Sequence, residues 1–270
     1  MAPGPNLAIL AHENTHPNTD PLPSKTASTK PKPTTTTQKG TKVLHPSLIT
    51  TEFDLLRFSA AAAQQLSTPT HVLTNQNDES NTEDLYSPLL ISSPYNSPSH
   101  YLDLTTLTTP SLIFAKALTA LKPLREDYAT APYTSSLNFS STILPLVREL
   151  AAAERFEWKE QSFYVVIFRS KLQDGIDGEW LYKLDFESHR EACESGGLLK
   201  YWFGKADAGR RNLATCFWHS RDDARKGGLG PWHAKARAAG RSLYEYINFS
   251  THWFTILDGA EDFRFEDWTE

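Results

Sequence analysis

The chain has 270 residues, 39% hydrophobic and 22% charged, which is enough apolar material for a globular core. A net charge of −5 argues against nucleic acid or an anionic membrane as the main partner. The two cysteines, Cys193 and Cys216, lack framework spacing, which argues against a disulfide scaffold and points to a reducing compartment.

The opening stretch "MAPGPNLAILAHENTH" has no cationic start followed by a long apolar run, so no secretory signal is read there. The longest apolar runs, such as 163–168, fall well short of the ~20 residues a membrane helix needs. A soluble cytoplasmic protein is expected. Residues 1–46 are loaded with Pro, Thr, Ser and Lys and cannot bury enough surface to offset their ordering entropy, so they read as a disordered tail. Residues 47–110 read as one isolated helix plus a long polar loop. The helix is "TTEFDLLRFSAAAAQQL" (50–66), with Thr51 as its cap and Phe53, Leu56 and Ala60 on one face.

A globular α+β domain is expected over 111–270. Two helices come first, 111–128 (interrupted at Pro123) and 141–156. Then "FYVVIFRSKL" (163–172) is β-branched and aromatic and reads as a strand. A short helix follows in "DFESHREACESGG", where Ser188 and Glu191 have capping-box spacing and Gly196–Gly197 suit the stop. "LLKYWFG" (198–204) and "NLATCFWHS" (212–220) are two more strands. Ser220 caps a short helix that "GGLG" breaks, and Pro231 restarts it as far as Tyr244. "INFSTHWFTIL" (247–257) is the last strand, and an acidic tail closes the chain from 259. The order β-α-β-β-α-β is the split arrangement of ferredoxin-like folds.

That topology leaves one sheet face without helices, yet both faces are apolar. Phe163, Val165 and Ile167 alternate with Tyr164, Val166 and Phe168; Leu199, Tyr201 and Phe203 oppose Leu198 and Trp202; Leu213, Thr215 and Phe217 oppose Ala214, Cys216 and Trp218. Exposing half a dozen such side chains costs on the order of 10 kcal/mol. Something must cover the second face: the N-terminal helices, a second copy of the chain, or in part a ligand.

The run "FEWKEQSFYVVIFRSKL … GGLLKYWFG … RNLATCFWHSRDDARKG … GPWHAKARAA" resembles a family of fungal proteins with no assigned activity, over roughly residues 111–270. The passage 212–240, with its strand, "S-x-x-D-A" and "P-x-H", is more distantly similar to dimeric α/β-barrel proteins of the antibiotic-biosynthesis-monooxygenase kind. The second resemblance implies a homodimer, a cavity between sheet and helices, and an oxygenase-like reaction, cofactor-free or with haem.

Between Lys200 and Arg241 stand ten basic residues against three acids, whereas 258–270 holds six acids against Arg264. The plainer reading is that the two stretches neutralise each other. The functional reading is that Arg237 receives a small anionic molecule, since guanidinium forks suit carboxylates and phosphates. His233 shares a helix face with Arg237 and Arg241, which makes it the candidate catalytic base, although capping or packing the broken helix is the plainer explanation. Tyr201, Trp202 and Trp218 are candidate walls of the ligand space. His189 and Cys193 lie four apart on one helix, too few ligands to argue a metal site. The leading expectation is a protein that binds a small, partly apolar anion between sheet and helices. The competing one is an interaction protein whose second sheet face meets another chain.

Overall fold

The computed structural model describes residues 43–44, 50, 52–66 and 86–269. The expected tail over 1–46 and the first part, 67–85, of the polar loop expected over 67–110 therefore fall almost wholly outside the described residues, and the rest of that loop holds short strands and 3-10 turns. The N-terminal helix is present as α1 (Phe53–Phe58), followed by a 3-10 segment Ala61–Leu66. Its N-cap is Glu52, whose side chain makes no capping bond.

After a small antiparallel pair, Leu89–Ile91 with Tyr101–Asp103, comes α2 (Thr109–Ala117). It tightens into a 3-10 turn and ends at Leu121, ahead of Pro123, which cannot continue it. A π-turn at Phe139–Ile143 leads into α3 (Leu144–Ala153). Then follow β1 (Gln161–Leu172), α4 (Gly178–Ser195), β2 (Leu198–Phe203), β3 (Arg211–Trp218), α5 (Arg221–Gly227), α6 (Pro231–Leu243), β4 (Tyr244–Ile256) and β5 (Phe263–Asp267).

One antiparallel sheet runs in the order β2-β3-β1-β4-β5. Its first four strands, with α4 and the α5–α6 pair as crossovers, make the ferredoxin-like β-α-β-β-α-β arrangement.

Three details differ from the sequence reading. First, α4 begins ten residues before Ser188. Asp177 is its cap, accepting from the Trp180 N–H at 3.0 Å, so Ser188 is a buried mid-helix residue and not a cap. Second, the closing stretch is not a free acidic tail: residues 263–267 pair with 252–256 as the fifth strand. Third, β2 does not alternate strictly. A bulge between Leu198 and Lys200 puts Leu199 on the side of Trp202 and Leu198 on the side of Tyr201 and Phe203. One surplus residue reverses the facing of what precedes it.

The second sheet face is covered by the chain itself. Leu112, Phe114, Phe139, Leu144 and Val147 from the N-terminal helices pack on Phe163, Val165, Ile167, Trp202, Leu213, Phe217 and Phe254. On the other face, Tyr164, Val166, Phe168, Tyr201, Phe203, Ala214, Cys216 and Trp218 meet α4, α5 and Tyr95. The molecule thus has three layers, which removes the burial argument for a face-to-face dimer.

Candidate functional site

The residues singled out in the sequence occupy separate places. Tyr201 and Trp218 lie on the crossover-helix side of the sheet, both buried. Trp202 lies on the opposite side, its indole N–H donating to the Arg57 carbonyl at 3.2 Å and its ring edge-on to Tyr128. The three aromatics therefore do not line one wall. His233 is buried at the start of α6, where Glu191 of α4 holds it. That carboxylate accepts from the N–H groups of Trp232 (2.7 Å) and His233 (3.1 Å) and bonds the His233 ring at 2.9 Å. Burial pushes the Glu191 carboxyl up, but these N–H bonds and the imidazole outweigh it and hold the group below its ordinary value. Arg237 donates to the Gly228 carbonyl at 2.9 Å, tying α6 back to the joint with α5. An anion offered to His233 would meet the Glu191 carboxylate.

The basic segment is neutralised locally. Lys205 pairs with Asp54, Arg210 with Glu245, and Arg211 with Asp207. From the closing strand, Asp267 pairs with His252 and Arg264 with Glu160.

A different set of side chains forms a buried polar cluster between α4, β2 and residues 92–100. Helix α4 presents Asp185, His189 and Cys193, spaced one turn apart, toward β2 and toward residues 92–100, which run between the two short strands. The Asp185 carboxylate, fully buried, accepts from the Tyr201 hydroxyl at 2.7 Å and from the Tyr95 hydroxyl through its other oxygen. Burial, reinforced by Asp185, pushes both phenols well above their ordinary value, so they remain protonated donors. The His100 and His189 rings stack at 5.0 Å with 7° between their planes, and their Nδ1 atoms are 2.7 Å apart. Burial lowers His100 to about 4, and burial with the neighbouring His100 puts His189 well below its ordinary value. The Cys193 thiol, 3.7 Å from the His189 ring nitrogens, is pushed up by burial and is no activated nucleophile. On the opposite face of β2, where it pairs with Phe217, Lys200 is 2% exposed and burial lowers it to about 7.

The buried carboxylate, the two phenols on it and the stacked histidine pair, all between α4, β2 and residues 92–100, make this layer the candidate site. A haem does not fit there. The two histidines are engaged with each other, and Tyr95 fills the space beside them. Among the described residues, no group of three or more His, Cys, Asp or Glu is placed to hold a metal ion. No helix is long and apolar enough to cross a membrane.

Sequence reasoning missed Asp185, Tyr95 and His100. Asp185 was within reach: it stands four residues before His189 and eight before Cys193, a pattern that shows once the helix is extended back to Gly178. Nothing in "SSPYNSPSH" announces that Tyr95 enters the core.

Among solved structures, the chain is similar to Rv0793 from Mycobacterium tuberculosis, at 15% identity and a TM-score of 0.30, over 34% of this chain and 92% of that one. It is also similar to SnoaB, a cofactor-independent oxygenase from Streptomyces nogalater, at 13% identity and a TM-score of 0.29, over 34% and 91%. Matches of that strength, over about a third of the chain, say nothing about ligand or activity. The UPF0643 protein PB2B2.08 of Schizosaccharomyces pombe is 35% identical over 182 residues, 65% of this chain and 82% of that protein. The PB2B2.08-like family model matches residues 91–267, a span that holds the whole five-stranded sheet, Tyr95 and Asp185. The chain belongs to the PB2B2.08-like family.

Proposed function

We propose that the protein binds a small, partly apolar molecule between the sheet and α4, with Asp185 as the polar anchor and proton acceptor. The observation that carries this reading is the buried carboxylate with both oxygens held by phenol hydroxyls, amid rings that are otherwise apolar. A carboxylate at the base of the space disfavours an anion and suits a neutral hydroxyl donor, so the ligand is neutral where the sequence suggested an anion at Arg237. Tyr201 holds one Asp185 oxygen in place, and the neutral histidine pair adds a polar flank without charge. In the enzyme form of the proposal, the substrate is a hydroxylated aromatic and dioxygen is the oxidant: Asp185 takes the hydroxyl proton, and the electron-rich ring that remains is what dioxygen oxidises.

We also propose a cytoplasmic homodimer joined by sheet edge rather than sheet face. The outer edge of β4 over Tyr246–Ser250 lies beyond the reach of β5, which pairs only from His252 onward. Tyr246 and Phe249 are exposed there, and the run Tyr246–His252 carries no acid or lysine to repel a second strand.

The site is tested by thermal shift with p-cresol, indole and benzyl alcohol, on the protein and on Asp185→Asn. The expected result is a rise in melting temperature with at least one probe that disappears in the variant. No shift from any probe, or equal shifts in both proteins, rejects the site.

A further inference from the structure

We propose that Tyr95 is an internal stand-in for the ligand, and that the ligand is accordingly a monocyclic phenol which displaces residues 92–100. The proposal rests on the Asp185 site above and names its ligand class. The Tyr95 ring is surrounded by Phe53, Tyr182, Phe186, His189, Tyr201 and Phe203, with centroids 5.3 to 6.4 Å away. Phe186 and Phe53 meet it edge-on, and Tyr201 lies nearly parallel at 23°. These are the arrangements that aromatic quadrupoles favour. All six side chains belong to α1, α4 or β2, so the walls of a ring-sized slot with Asp185 at its polar end stand independently of the segment that fills it.

That segment is poorly satisfied where it lies. Ser92 Oγ, Ser97 Oγ and His100 Nε2 are buried and have no hydrogen-bond partner among the described residues, although protein interiors leave few such groups. Three unmet polar atoms in nine residues bias the segment toward leaving, while the Tyr95 ring and its bond to Asp185, the His100–His189 bond, and the Tyr201 N–H on the Ser92 carbonyl hold it in. A phenol supplied from outside replaces the ring and the bond to Asp185, and release of the segment lets its polar atoms, the ring nitrogens of His100 included, reach water. The ligand's class follows from the slot. One ring fits the volume of one ring, the hydroxyl takes the place of the tyrosine oxygen on Asp185, and a carboxylate would be set against that same carboxylate.

The test compares p-cresol, toluene and p-toluate, at equal millimolar concentrations, on the full chain and on Tyr95→Ala. In Tyr95→Ala, p-cresol raises the melting temperature by several degrees, more than toluene does, and p-toluate leaves it unchanged. In the unaltered protein, p-cresol speeds chymotrypsin cleavage after Tyr95 several-fold. If toluene or p-toluate matches p-cresol on both proteins, the space does not read a hydroxyl, and the inference falls together with the Asp185 reading; if p-cresol alone stabilises the unaltered protein but leaves cleavage after Tyr95 unchanged, the inference falls and the Asp185 reading survives. If none of the three affects either protein, both fall together. Should Tyr95→Ala fail to fold, the unaltered protein still decides: p-cresol that leaves the rate of cleavage after Tyr95 unchanged overturns the displacement.

Discussion

The Nδ1 atoms of His100 and His189 lie 2.7 Å apart, so one nitrogen must donate and the other accept, and at least one of the two rings is neutral. Both histidines have folded-state proton affinities below the unfolded value of about 6.5. Between about pH 6.5 and 4 the unfolded chain therefore binds protons that the folded chain refuses, and stability falls as pH is lowered through that window. Urea denaturation at pH 7, 6 and 5 should show the decline. His100→Gln, which removes one of the two titrating rings, should lessen it.

Lys200 gives the opposite flank. Its folded value of about 7 lies below the unfolded value of about 10.4, so stability rises with pH between those limits. Lys200→Met removes a buried amine that forms no ion pair among the described residues. It should raise stability at pH 7 and abolish the rise between pH 7 and 10, as measured by the same denaturation series.

His233→Ala and Arg237→Ala each remove a bond that ties α6 to its neighbours, to Glu191 and to the Gly228 carbonyl respectively. Each should cost about 1–3 kcal/mol of stability. Neither should change the response to p-cresol, whose site involves neither residue. A loss of p-cresol binding with unchanged stability would restore both to a ligand site.

Gly227 sits against the Trp218 indole. A Cβ there would lie 2.3 Å from Cη2 and 2.9 Å from Cζ3 of a ring that is 3% exposed. Gly227→Ala must push α5 off the sheet, at a cost of about 1–3 kcal/mol, visible as a lower melting temperature.

Static light scattering should give twice the chain mass. The pair Tyr246→Lys and Phe249→Lys, at exposed positions, should give a monomer with an unchanged circular dichroism spectrum. A monomeric parent protein disproves the edge-paired dimer.

The faces of β1 and β3 were legible because alternation holds without interruption and each face carries bulky side chains. Ser220 at the cap of α5 and Pro231 at the start of α6 were legible because local chemistry decides both. The facing of Leu199 was not, since a bulge depends on what the neighbouring strand offers and leaves no local signature. The start of α4 was missed because Ser188 offers the spacing of a capping box in mid-helix, while Asp177 is the cap that is used. The candidate site was hidden for a related reason. Its acid lies on a helix that was read too short, and its phenol arrives from a loop some ninety residues away.

The third layer has a consequence for how the protein can be divided. A fragment beginning at Gln161 would keep every strand of the sheet and still expose Phe163, Ile167, Trp202, Phe217 and Phe254 to water. Such a piece would precipitate rather than behave as a miniature of the parent. The helices ahead of it are thus part of the smallest unit able to fold, and so are α1 and residues 89–104, whose Arg57, Leu90, Tyr95 and Leu104 are buried with them.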